Sequence, residues 1–306
     1  MKQVVAVVGP TASGKTGLAI EVAKLLDTEI VSADSMQFYR GMEIGTGAPS
    51  AEELAAVKHH FIGTLDPSER MSAGQYRIEA GEVVRSLNED GKTAVVVGGS
   101  GLYIQALIDG LFDGPGADPK LRAALEHEAE EHGSEVLHAR LAGVDPEYAA
   151  TIHGNDVKRI VRGLEVFETS GSPLSVLHLE QQESGSAFES VQFALDFPRA
   201  ELYARINRRV DRMLEEGFVE EVARLRDAGY EPDISRLKSL GYREVLAHLR
   251  GESSLEEARE LMKMNTRRYA KRQLTWFRGD TRIEWLKADT DETDASRAKH
   301  IVSTIK

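Results

Sequence analysis

Residues Gly9-Pro10-Thr11-Ala12-Ser13-Gly14-Lys15-Thr16 carry the spacing G-x-x-x-x-G-K-[ST]. A loop of this kind turns its backbone N–H groups inward and, with the N-terminus of the helix that follows, holds a polyphosphate. Lys15 is placed to reach the terminal phosphates, and Thr16 to offer its hydroxyl to Mg²⁺. The motif needs a strand before it and a helix after it. Residues 4–8 form an apolar run, and Leu18, Ala19, Val22, Ala23, Leu25 and Leu26 resume the apolar pattern beyond the loop. The chemistry specified is recognition of a phosphoanhydride; nothing in the motif specifies a nucleotide.

Further side chains could act with that loop. Asp34 follows a second strand pattern over 29–33, which places a carboxylate at the carboxyl edge of a sheet, beside the phosphate loop. It fits three jobs: metal ligand, general base or helix cap. A kinase-like hydrolase also wants an acid at the end of another strand. The best candidate, over 94–97, ends instead in Gly98-Gly99-Ser100-Gly101-Leu102-Tyr103, a glycine-rich turn into a helix. That turn fits either a ligand approaching the backbone or a tight connection. In a helix over 199–217, Leu202, Ile206, Val210 and Met213 share a face. At 100° per residue Arg209 falls within that arc, whereas Arg205, Arg208 and Arg212 fall off it. An inward arginine must meet an anion, pair with a carboxylate or snorkel. Near the end of the chain, Lys238-Ser239-Leu240-Gly241-Tyr242-Arg243 precedes an acid-free stretch from Arg267 to Arg278 in which Tyr269, Trp276 and Phe277 interleave with basic residues. That pattern suits RNA and equally a solvated helix face. Lys158, Arg159 and Arg162 form a smaller basic cluster.

These residues need a scaffold. The chain of 306 residues is 41% apolar and 29% charged, the balance of a globular protein with ample core. Alternating strand and helix patterns in its first part predict an α/β fold: a P-loop NTPase-like parallel sheet flanked by helices, binding at the carboxyl ends of its strands. Composition shifts at Asp113-Gly114-Pro115-Gly116, and helical patterns follow over 121–131, capped by Asp118-Pro119, and over 156–169, stopped by Gly171. Residues 181–190 are polar and loop-like; a β-like run at 191–195 resumes the sheet, and the rest is expected to be helical. The predicted division is a core of 1–113 with 191–306 and a helical insertion domain over 114–190. With no cysteine there is no disulfide, thiolate catalysis or Cys-ligated zinc. No apolar run approaches the roughly 18–20 residues of a membrane span; with a first strand starting near residue 4, no leader and a cytoplasmic location are expected. The net charge of −12 opposes general nucleic-acid binding but permits local basic patches.

The ordered set of segments 9–16, 34–39, 41–46, 98–103, 155–166, 241–243 and 271–278 resembles the tRNA dimethylallyltransferase family over nearly the whole chain. Two departures are small: Gly47-Ala48-Pro49 stands where the family usually has Ala-Lys-Pro, and Ser100 where Thr is common. The resemblance implies transfer of a dimethylallyl group from dimethylallyl diphosphate to N6 of the adenosine 3′ of the anticodon in tRNA. It implies that residues 9–16 and Arg209 hold the diphosphate, with Mg²⁺ on Thr16, and that Lys15, Arg209 and Asp34 are catalytic, Asp34 accepting the N6 proton. It implies contact with the anticodon stem-loop by Asp34, Ser35, Met36 and Gln37, by Lys158, Arg159, Ile160, Val161 and Arg162, and by Lys238, Ser239, Leu240, Gly241, Tyr242 and Arg243, with Ser100 and Arg122 beside it. A monomer with no membrane contact is expected. The rival readings are a P-loop small-molecule kinase, which would need an adenine site, and a non-catalytic RNA-binding protein, which would have no use for the phosphate loop.

Overall fold

The computed structural model describes residues 3–112, 114–183, 185–288 and 292–305, without the side chain of residue 182. Asp113, where the composition shifts, lies outside the described residues. The chain forms two compact units, one of residues up to Ile108 together with those from Phe188 onward, the other Asp109–Ala187.

The first unit is built on a six-stranded sheet. Its strands are β1 (Val4–Val8), β2 (Ile30–Ser32), β3 (His59–His60), β4 (Ala94–Gly98), β5 (Ser190–Asp196) and β6 (Ile283–Lys287). Their order is β3-β2-β4-β1-β5-β6, and every neighbouring pair is parallel. The chain lays down one side of β1 first and the other side last, so β1 ends at the point where the winding reverses, the place where open parallel sheets bind ligands.

β1 reads Val-Val-Ala-Val-Val with no alternation because both its faces are covered. Val4, Ala6 and Val8 pack in a core with Phe38, Tyr76 and Phe218. Val5 and Val7 pack on the other face with Leu18, Val22, Ala298 and Ile301.

Two expectations are corrected. The C-terminal part is not wholly helical: β6 pairs with β5, Gln192 opposite Ile283. Of its residues only Ile283 is buried, so a short edge strand gave no strong apolar signal. The polar stretch from Gln181 is not all loop, since the helix Leu174–Glu183 runs into it and Gln181 Nε2 donates to the Asp109 carbonyl.

The second unit is helical among the described residues. Asp118 caps the helix Pro119–His132 by accepting from the Lys120 and Leu121 amides, with proline at the first turn. Asp156 caps Val157–Ser170, which ends on Gly171 in the left-handed conformation. Leu125, Leu137, Leu141, Ile160, Val161 and Leu164 form its core.

Leu141 is fully buried there. Leu141→Ala is expected to cost about 2–5 kcal/mol, seen as a lower urea midpoint. Because the phosphate loop belongs to the other unit, calorimetric titration with pyrophosphate under native conditions should be unchanged in the same variant.

Candidate active site

The phosphate loop leaves β1 at Val8 and turns through Gly9, Ala12 and Gly14, all at positive φ. Ala12, at φ 63, holds a conformation that L-residues adopt only under constraint. Gly14 then starts the helix Lys15–Leu26 without a side-chain cap, so an arriving anion meets helix amides that no side chain has claimed. Ser13 Oγ is buried in the loop with no hydrogen-bond partner. Lys15 Nζ donates to the Pro10 carbonyl at 3.2 Å. Burial pushes the Lys15 ammonium down to about 8; Asp34 opposes this and Arg209 adds to it.

The helix Arg199–Glu215 brings two arginines onto this loop. Arg209, placed by the helical arc on the inward face, donates through Nη1 to Thr11 Oγ1 at 3.1 Å and through Nη2 to the Thr46 carbonyl at 2.9 Å. It forms no ion pair with a carboxylate among the described residues. Burial lowers its pKa while Asp34 supports its charge. A Cβ on Gly47 would overlap this guanidinium, so the glycine that departs from the family pattern admits the close approach. Arg205, one turn earlier, donates through Nε to the Ala12 carbonyl at 2.9 Å and lies over the Phe197 ring. The sequence reading assigned Arg205 no role because it falls off the apolar arc. The available signal was its spacing of four from Arg209, which puts both on one side of the helix.

Asp34 lies just beyond β2 and accepts the Met36 amide through Oδ1 at 3.1 Å, so it does cap a turn. Its surroundings are also functional in kind: its field reaches Lys15, Arg209 and Tyr269. Burial, and secondarily Asp34, raises the Tyr269 phenol to about 12. Ser100 Oγ accepts the Ser35 amide at 3.0 Å, which ties the second glycine-rich turn to the Asp34 segment. A side chain at Gly98 would overlap the Ala33 backbone, so that turn is a tight connection as well. Gln37 Nε2 donates to the Gly47 carbonyl.

Thr11, Asp34 and Arg209 line one cavity of about 270 Å³, with Ile206, Val210, Met213, Leu240 and Met262 among its apolar walls and Lys238, Tyr269 and Arg272 also lining it. Gln273, which the sequence reading assigned no role, bridges two loops from the helix Leu255–Arg278. Its Oε1 accepts the Thr11 amide at 2.9 Å, and its Nε2 donates to the Gly99 carbonyl at 2.8 Å.

The basic residues divide. Lys238, Arg243, Arg268, Lys271 and Arg272 are exposed, as are Lys158 and Arg159 of the second unit. Arg267 is partly engaged, donating to Asn207 Oδ1 at 2.6 Å. Arg122 and Arg162 both bond Glu165, whose side chain is fully buried. Burial raises the Glu165 carboxyl, but hydrogen bonds from the two arginines outweigh it and leave its pKa lowered. Three residues expected to touch RNA have buried side chains. Ile160 and Val161 are core residues of the second unit, and Tyr242 is fully buried with its hydroxyl donating to Glu221 at 2.7 Å. Gly241 is buried against Phe218, and Ser239 is buried as well.

A parallel sheet with this loop at the end of its reversal strand defines a phosphate-loop protein of the α/β class. The family model described as IPP transferase matches residues 37–280. The chain is 50% identical over 285 residues to a tRNA dimethylallyltransferase of Geobacter sulfurreducens, covering 93% of this chain and 92% of that protein. Its structure resembles that of a full-length tRNA isopentenylpyrophosphate transferase from Bacillus halodurans, with TM-score 0.73, 40% identity, and coverage of 100% of this chain and 96% of the other. It also resembles a eukaryotic dimethylallyltransferase described as acting on tRNA, with TM-score 0.84, 29% identity, and coverage of 99% and 79%. The chain belongs to the tRNA dimethylallyltransferase family.

The lowered pKa of Lys15 has two consequences. Below about pH 8 both folded and unfolded chains carry the proton, so the cost of burying its charge is fully present; stability contributed by this group rises as pH climbs from about 8 toward 10.5. Anion binding restores the charge. Titration with dimethylallyl diphosphate in buffers of different ionisation enthalpy should therefore show proton uptake approaching one per site near pH 9, little near pH 6.5, and none attributable to this group in Lys15→Ala.

Proposed function

We propose that this protein transfers the dimethylallyl group of dimethylallyl diphosphate to N6 of the tRNA adenosine 3′-adjacent to the anticodon, releasing pyrophosphate. The observation that carries this reading is the single cavity in which Thr11 and Arg209 of the diphosphate end meet Asp34, with apolar walls between. Those walls suit a branched C5 group, and the exclusion of water from them protects an allylic centre against hydrolysis.

In the reaction, the bond from the allylic carbon to the diphosphate oxygen breaks and a bond from that carbon to N6 forms. Negative charge grows on the leaving diphosphate. Lys15, Arg209 and the loop amides are fixed in advance where that charge develops, which is the arrangement that lowers a barrier without reorganisation. Asp34 accepts a proton from N6, and its anchoring through Met36 keeps the carboxylate in place. The acceptor base cannot react inside a stacked loop, so it must be flipped into the cavity.

Mg²⁺ fits this loop. Thr16 follows Lys15 at the helix start, and the partnerless Ser13 hydroxyl offers a further oxygen. No cluster of three or more His, Asp or Glu that could hold a metal occurs among the described residues, which agrees with an ion held mainly by substrate oxygens, a hydroxyl and water. When bound, the ion would neutralise charge on the diphosphate.

For tRNA, we assign contacts to the exposed Lys158, Arg159, Lys238, Arg243, Arg268 and Lys271, with Ser35, Met36, Gln37, Ser100 and Leu240 near the flipped base and Arg122 and Arg162 held ready by Glu165. We further infer a monomer acting in the cytoplasm; among the described residues no helix is long and apolar enough to cross a membrane. The kinase alternative gains nothing from the structure, since β4 ends in glycines with no acid to hold a nucleotide's metal.

Incubation with dimethylallyl diphosphate and unmodified tRNA, followed by nucleoside mass spectrometry, should show adenosine heavier by one dimethylallyl group; unmodified tRNA after complete incubation would overturn the reading. Asp34→Ala should lower single-turnover rates by roughly 10²–10⁴-fold with tRNA affinity nearly unchanged; a wild-type rate would reduce Asp34 to a turn cap.

Arg209→Ala should raise the apparent constant for dimethylallyl diphosphate or slow chemistry while leaving the salt dependence of tRNA affinity intact. Arg268→Ala and Lys271→Ala should instead flatten the slope of log affinity against log salt by up to about one unit each. The reverse pattern would exchange the two assignments.

A further inference from the structure

The helix Leu255–Arg278 buries Ala270, Gln273 and Phe277 along one stripe. A glutamine in that stripe is costly unless both ends of its amide are satisfied. Here both are, and the partners are loops of the candidate active site, not neighbours on the helix. The acceptor end takes the Thr11 amide of the phosphate loop, and the donor end serves the Gly99 carbonyl of the second glycine-rich turn.

Each partner lies one step from a group that the reaction uses. Thr11 Oγ1 accepts from Arg209 Nη1. The residue after Gly99 is Ser100, whose hydroxyl accepts the Ser35 amide beside Asp34. A Cβ on Gly99 would overlap Gln273 Nε2 and would also approach the Gly9 carbonyl at 3.3 Å, so the two loops pass close together where the glutamine clamps them.

We propose that Gln273 is a positioning residue: it sets the spacing between the diphosphate end of the cavity, at Thr11 and Arg209, and the acceptor end, at Ser100, Ser35 and Asp34. The inference rests on the transferase reading for its catalytic consequence, but the effect on the loop itself does not. An amide that fixes the Thr11 backbone also fixes where the Thr11 hydroxyl meets Arg209. Displacement of reacting groups by about 1 Å costs on the order of 10²-fold in rate.

Two substitutions separate this role from packing. Gln273→Met keeps the volume and removes both hydrogen bonds. Gln273→Glu keeps an oxygen for the Thr11 amide but sets a carboxylate against the Gly99 carbonyl. Calorimetry with pyrophosphate, single-turnover prenylation, tRNA affinity and thermal midpoint would be measured for both and for the wild type. The expected result is weaker pyrophosphate binding in both variants, about 10-fold or more: Gln273→Met through loss of the Thr11 bond, and Gln273→Glu through a carboxylate set beside the bound anion. The rate at saturating diphosphate should fall about 10²-fold in both variants, and tRNA affinity should stay within about twofold. Wild-type pyrophosphate affinity and rate in Gln273→Met, with only the midpoint lowered, would overturn the proposal. Should Gln273→Met fail to fold, Gln273→Glu decides alone: an unchanged rate at saturating diphosphate overturns the proposal, and a lowered one supports it. A wild-type protein that binds pyrophosphate but prenylates no tRNA would refute the transferase reading while leaving the pyrophosphate comparison valid.

Discussion

The site rests on two cations withdrawn from water beside one loop. Burial is the main cause that lowers the proton affinity of both Lys15 and Arg209, and the Arg209 charge lowers that of Lys15 further. Asp34 is the carboxylate whose field favours both, and it forms no direct ion pair with either among the described residues. Such an arrangement is unfavourable without an anion and strongly favourable with one, because the charge that the scaffold leaves unbalanced is the charge that a diphosphate supplies. A closer carboxylate would make the empty loop more stable and the loaded one weaker.

Holding like charges near each other requires a scaffold that cannot relax. The sheet provides it through strands buried on both faces, with β1 between β4 and β5 and matched in register along its whole length. Close backbone approach does the rest. Gly98 lets β4 end against Ala33, so the carboxyl edges of β2 and β4 meet beside Asp34, and Gly47 lets Arg209 reach the Thr46 carbonyl. These are contacts that any side chain would prevent.

Local features of this design were legible in the sequence, and distant ones were not. The phosphate loop is a contiguous motif, the cap at Asp118 and the stop at Gly171 are local, and Arg209 announces itself by lying inside an apolar arc. The family resemblance supplied the reaction. By contrast, the bond from Gln273 to Thr11 joins residues 262 apart, and that from Arg205 to Ala12 joins residues 193 apart. No periodicity within a helix encodes such pairings. β6 escaped notice because an edge strand of five residues with one buried position carries little pattern. At Ile160, Val161 and Tyr242 the resemblance names a segment and not a side-chain direction: a helix fans its side chains out at about 100° per residue, and these three face the core.

The pairing of Arg122 and Arg162 with Glu165 follows from the same economy of charge. With a net charge of −12 the long-range field of this protein repels RNA, so affinity must come from local cations held in position. Free arginines would give stronger general attraction to any polyanion. Arginines hydrogen-bonded to a buried carboxylate give less, but they keep a fixed orientation and have lost their side-chain entropy before the RNA arrives. On the proposed reading, the exposed Lys158 and Arg159, on the helix that also carries Arg162, would supply charge that counterion release can use, and the pair bound to Glu165 would supply geometry. The division matches what an enzyme needs when it must select one adenosine in a folded loop, since shape has to be read by groups that do not follow the ligand.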